Sequence, residues 1–112
     1  MASDCVFCKI IAGEIPSDRV YEDDQTVVFK DIDPKAKVHL LVVPKQHIPS
    51  LNELRPEHDA LMAHLLRLLP RLGRDQGLSE GFRTIINTGR GAGQAVFHLH
   101  IHLLGGGRLP GF

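Results

Sequence analysis

The chain has 112 residues, with 13 Lys and Arg against 13 Asp and Glu, a formal charge of zero and 43% hydrophobic residues. That length suits a single domain spanning residues 1–112 with its own core, and leaves no room for a second. The charge balance argues against a nucleic-acid or anionic-membrane binder. No run approaches the roughly 20 apolar residues of a membrane span, and Met1-Ala2-Ser3-Asp4 lacks a basic leader, so a cytoplasmic protein is expected.

Phe7 to Ala12 predict a short helix ended by Gly13. Val20-Tyr21-Glu22 and Thr26 to Lys30 read as paired strands around the polar turn Asp23-Asp24-Gln25. Val38 to Val43 is apolar, β-branched and stopped by Pro44, the pattern of a central strand buried on both faces, with His39 as its polar exception. A long helix is expected from Pro56, where a missing N–H costs nothing, to near Gly77. At about 100° per residue, Leu54, Leu61, Met62, Leu65, Leu66, Leu68, Leu69 and Leu72 spread over roughly 160°, opposite Arg67, Arg71 and Arg74. That stripe is wider than one sheet contact needs and implies a second buried surface, read as a two-fold partner in a homodimer. Pro70 falls inside the helix and predicts a kink. His58 and His64 on this segment read as solvated or interface residues. Gly81 to Asn87 and Val96 to Leu104 complete five strands, giving an α+β fold: a mostly antiparallel sheet, one long helix and a short N-terminal helix.

In the last strand His98, His100 and His102 alternate with Leu99, Ile101 and Leu103, so a period of two places three imidazoles on one face and three aliphatics on the other. Upstream, Gly91 to Phe97 is a turn of mostly small residues whose backbone N–H groups can approach an anion closely. A neutral imidazole beside a phosphate cradle suits nucleophilic attack at phosphorus, provided its other nitrogen is held as a donor by His39 or a backbone carbonyl. No carboxylate cluster flanks the turn, so no magnesium site is indicated.

Cys5 and Cys8 are the only cysteines. So short a loop gains little from a disulfide, and their C-x-x-C spacing is half of a tetrahedral zinc site whose other ligands must be histidines. A pair of reduced thiols is the plain alternative. A redox motif is disfavoured because no strand precedes it.

His98-Leu99-His100-Ile101-His102-Leu103-Leu104 resembles the signature of the histidine-triad (HIT) family. The likeness extends through Cys5 to Ile11, Glu14-Ile15-Pro16, Phe29 to Ile32, Val42 to Ile48 and Asn87-Thr88-Gly89, and is similar to the Hint branch with paired N-terminal cysteines. The resemblance implies a hydrolase that cleaves purine nucleoside phosphoramidates through a nucleotidyl-histidine intermediate. It assigns His100 as nucleophile, Gln94 and His102 to the α-phosphate, and His39 to orienting or tuning the site. It further implies that Asn87, Gly93, Ala95 and Val96 cradle the phosphate, while Ile15, Phe29, Asp31 and Ile32 hold base and ribose, and that Cys5, Cys8, His47 and His98 bind structural zinc. Many members carry serine where this chain has Ala95, which predicts slower leaving-group departure. A dinucleoside-polyphosphate hydrolase or nucleotidyl transferase is the alternative within the family, and a zinc-stabilised nucleotide-binding interaction module the alternative outside catalysis.

Overall fold

The computed structural model describes residues 4–111. Helix α1 (Val6–Ile11) leads into strands β1 (Arg19–Glu22), β2 (Thr26–Lys30) and β3 (Val38–Pro44). Helix α2 (Asp59–Asp75) and strands β4 (Phe82–Ile85) and β5 (Ile101–Gly105) follow. The strands form one antiparallel sheet in the order β1-β2-β3-β5-β4, with β3 at its centre, and the architecture is α+β.

Strand period decides which residues face which helix. Val28 of β2, Leu40 and Val42 of β3, and Ile101 and Leu103 of β5 share a buried cluster with Leu61, Leu65, Leu68, Leu69 and Leu72 of α2. The opposite face carries Val27, Phe29, Leu41 and Val43, covered in part by Phe7 and Ile10 of α1. Each fully covered aliphatic side chain contributes about 2 kcal/mol.

Several element ends differ from expectation. Pro56–His58 forms a 3-10 turn before α2 begins at Asp59. His58 is buried and its Nδ1 accepts the Arg55 backbone N–H at 3.0 Å, so it closes the start of the helix rather than facing solvent. His64 pairs with Asp23 at 2.7 Å. The helix runs through Pro70. Its apolar stripe is covered chiefly by the chain's own sheet, and Leu66, 53% exposed, is left outside.

Strand β5 begins at Ile101 rather than Val96, so among the triad only His102 lies on the ladder. Leu99 instead donates its backbone N–H to Ile48 at 2.7 Å, outside the sheet register. The segment stays extended enough to preserve alternation: Leu99 and Ile101 enter the α2 core while the histidines face the other way. Strand β4 is likewise shorter than predicted, because Ile86 and Asn87 leave the ladder toward the glycine turn.

Candidate active site

Beneath α1, on the sheet face away from α2, lies a cavity of about 440 Å³. Its walls include Ile15, Phe29, Asp31, Ile32, Asn87, Gly93, Ala95, Val96, His100 and His102, ten of the positions singled out from the sequence. Phe7, Ile10, Pro16, Ser17 and Leu41 also line it and were not singled out. Phe29 is buried, Asp31 half-buried, and Ile32 stands fully exposed at the rim.

Hydrogen-bond partners fix the state of each imidazole. His100 Nδ1–H donates to the His98 carbonyl at 2.7 Å, which leaves the Nε2 lone pair as its free group. The orienting acceptor is therefore the backbone carbonyl and not His39. The Lys35 backbone N–H donates to His39 Nδ1 at 3.0 Å, so the proton of a neutral His39 sits on Nε2. That Nε2–H donates to His102 Nδ1 at 2.9 Å, which in turn places the proton of His102 on its Nε2. Asp31 Oδ2 lies 3.4 Å from His39 Nε2, while Asp31 Oδ1 accepts the Asp33 N–H at 2.8 Å. Asp31, His39 and His102 are close enough to hold a metal ion, but the Lys35 bond removes the lone pair that His39 would have to supply.

Burial lowers the basicity of His39, His100 and His102. For His102, desolvation and then the neighbouring His100 and His39 push the value down to about 4. These three rings are thus neutral at pH 7, the form a nucleophilic ring nitrogen requires.

Gln94 departs from expectation. Its Oε1 accepts the Gly89 N–H at 2.8 Å and its Nε2 donates to the carbonyls of Pro49 and Val96 at 2.8 and 3.0 Å. The buried amide braces the glycine turn and is not part of the cavity wall. The turn itself needs glycine at position 93, where φ is 89°. Beyond it, the N–H groups of Ala95 and Val96 carry no hydrogen bond among the described residues.

A second group joins the N-terminal thiols to the triad strand. Cys5 Sγ lies 3.3 Å from His98 Nδ1, Cys8 Sγ 3.3 Å from His47 Nδ1 and 3.5 Å from His98 Nδ1, and the two ring nitrogens are 3.1 Å apart. A regular tetrahedron with metal–sulfur bonds of about 2.3 Å and metal–nitrogen bonds of about 2.0–2.1 Å has edges of about 3.3–3.8 Å, close to this set. His98 Nε2–H donates to the Pro44 carbonyl at 2.8 Å, so its Nδ1 lone pair faces the sulfurs, as in a metal-binding histidine whose other N–H is held by a backbone carbonyl. Without a cation, burial and the neighbouring Cys5 hold the Cys8 thiol up at about 11. The four residues fit a metal ion.

A family model described as "Scavenger mRNA decapping enzyme C-term binding" matches residues 4–108. Protein HitA of Neisseria gonorrhoeae is 52% identical over 101 residues, covering 90% of this chain and 94% of that one. A HIT family hydrolase from Legionella pneumophila superposes with a TM-score of 0.92 at 42% identity, over 95% of this chain and 96% of that structure. The chain belongs to the HIT family. Among its HIT relatives, the purine nucleoside phosphoramidase of Escherichia coli K12 is 43% identical over 107 residues, 95% of this chain and 90% of that protein. The chain is a hydrolase of this family.

Of the site groups that sequence reasoning missed, Phe7 and the Lys35 backbone N–H touch the imidazoles directly. Phe7 had a signal, its place between the two cysteines; a backbone N–H that fixes a tautomer leaves none.

Proposed function

We propose that this HIT hydrolase cleaves the P–N bond of purine nucleoside 5′-phosphoramidates through a nucleotidyl–His100 intermediate. The observation that carries this reading is the 2.7 Å bond from His100 Nδ1–H to the His98 carbonyl, which leaves the Nε2 lone pair as the nucleophile in a cavity of nucleotide size. The 43% identical phosphoramidase of Escherichia coli supports the substrate class.

Phe29, Ile15 and Ile32 supply the apolar slot for the base, and Asp31 accepts from the ribose hydroxyls. Asn87 and the N–H groups of Ala95 and Val96 take the phosphate oxygens beside Gly93, whose own N–H is held by the Arg90 carbonyl at 2.9 Å, and His102 Nε2–H joins them. His39 holds that proton in place by donating to His102 Nδ1. Nε2 of His100 bonds to phosphorus as the P–N bond breaks, and the amine leaves with a proton taken from water. Water then cleaves the P–His100 bond, releasing the nucleoside monophosphate and restoring the ring. Neutral imidazoles and backbone dipoles carry the charge stabilisation.

Cys5, Cys8, His47 and His98 hold zinc in this reading, and the ion supplies a fixed anchor between α1 and the two segments bearing the histidines. Reduced thiols suit a cytoplasmic setting. No helix among the described residues is long and apolar enough to cross a membrane. A homodimer is read from Leu66 and Phe82, exposed to 53% and 38%. Sedimentation across a concentration series that found only monomer would remove it.

Brief incubation with adenosine 5′-phosphoramidate followed by intact-protein and peptide mass spectrometry tests the mechanism. A nucleotidyl adduct on His100 is expected, with AMP released by the wild type and none by His100→Ala. An adduct elsewhere, or turnover surviving in His100→Ala, overturns it. AMP binding without turnover favours the interaction module instead.

A further inference from the structure

His100 meets the His102 ring at 5.1 Å, and its two other supports are tied to the Cys/His group. The first is the His98 carbonyl, the acceptor for His100 Nδ1–H at 2.7 Å. His98 is fully buried and pinned through both ring nitrogens, Nδ1 against the cysteine sulfurs and Nε2–H on the Pro44 carbonyl. The second is the ring of Phe7, whose centroid lies 5.0 Å from that of His100 at an interplanar angle of 89°. Phe7 also meets the His98 ring at 6.0 Å and Phe29 at 5.5 Å. It sits between the two cysteines, in the first turn of α1, and the sulfur of Cys5 caps that turn by accepting the Cys8 N–H at 3.3 Å.

We propose that Phe7 and His98 are positioning residues for the nucleophile, so that closure of the Cys5–Cys8–His47–His98 group sets the aim of His100. The acceptor that selects its tautomer and one of the two rings that flank it are both attached to that group. Asp31, Ile32 and Asn87, which also line the cavity, are not. Opening the group therefore loosens the nucleophile more than it loosens those three residues, and the effect falls on kcat more than on nucleotide affinity. This rests on the reading of His100 as nucleophile.

The experiment compares the full-length protein loaded with zinc, the same protein after chelation, a zinc-restored sample, and the variants Cys8→Ser and Phe7→Leu. Metal content, the proton resonance of His100 Nδ1–H, the Kd for AMP, and kcat on adenosine 5′-phosphoramidate are measured for each. Chelation and Cys8→Ser are expected to shift or broaden the resonance and lower kcat by roughly 10- to 100-fold, with the AMP Kd moving less than about threefold and zinc restoring the chelated sample. Phe7→Leu is expected to move the same resonance and lower kcat while retaining its zinc. An unchanged resonance and kcat in the zinc-free protein overturns the proposal, as does a loss of AMP affinity matching the loss of kcat. Should chelation or Cys8→Ser unfold the chain by circular dichroism, the zinc-retaining Phe7→Leu protein decides, and an unmoved resonance there is a refutation. Wild-type protein that never releases AMP defeats the proposed substrate instead, and the resonance still decides the coupling.

Discussion

Ala95 keeps its backbone N–H at the wall of the cavity and lacks the hydroxyl that serine would bring there. The remaining donors on that side are the N–H groups of Ala95 and Val96 and the Nε2–H that His39 secures on His102. None is placed specifically for a departing amine, so Ala95→Ser should raise kcat on substituted phosphoramidates by roughly tenfold, less than the roughly 100-fold or more of a fully positioned proton donor, because a serine hydroxyl is a weak acid. Steady-state kinetics that show no change would mean that the hydroxyl has no part in this chain's chemistry. At this scale the sequence was legible where chemistry follows from alternation: His100 and His102 do share the cavity, and His98 turns to the thiols. Gln94 was less legible. The family resemblance assigns it to the α-phosphate, while an amide with four hydrogen-bonding positions is equally suited to bracing the turn, and here its side chain bonds to Gly89, Pro49 and Val96. Sequence alone does not say which of two nearby acceptors an amide meets.

Among the elements, α2 gives the clearest test of how its apolar stripe is divided. Leu65 is fully buried against β3 and β5, whereas its neighbour Leu66 is 53% exposed. Leu65→Ala should cost about 2–5 kcal/mol and Leu66→Ala less than about 0.5 kcal/mol in the isolated chain, read by urea unfolding. Equal losses would mean that Leu66 is covered in solution, as a second copy would do. The stripe's position was readable from the 3.6-residue period, but its width overstated the surface left for a partner, because the five-stranded sheet covers Leu61, Leu65, Leu68, Leu69 and Leu72 together. The close approach of β4 to α2 was not readable. A Cβ on Gly73 would stand 2.8 Å from the Phe82 ring, a contact between residues in different elements that no local pattern encodes. The late start of β5 has the same origin. Local alternation runs back to Val96, and it is the bond from Leu99 N–H to Ile48 and the pull of His98 toward the thiols that take the chain off the ladder.

For the whole molecule, one carboxylate joins the sheet's outer hairpin to the long helix. Asp23, in the turn between β1 and β2, accepts from the Tyr21 hydroxyl at 2.8 Å, from the Gln25 backbone N–H at 2.8 Å and meets His64 of α2 at 2.7 Å. Partial burial opposes its charge, but those donors outweigh it and hold the carboxyl at about 2, below its ordinary value of 3.8. Because the folded form binds its proton less readily than the unfolded chain, this contribution is complete above about pH 4 and disappears as the pH falls through about 2, amounting to about 2 kcal/mol. Asp23→Asn should therefore be less stable than the wild type near about pH 6, and the gap should close as both are acidified toward about pH 2. Comparing the two by urea unfolding at matched pH cancels the titration of every other carboxylate. A gap that stays constant across that range would mean that Asp23 acts through its shape and neutral hydrogen bonds. The hairpin would then be held to α2 by packing around Tyr21, whose ring lies 5.2 Å beneath the Arg71 guanidinium.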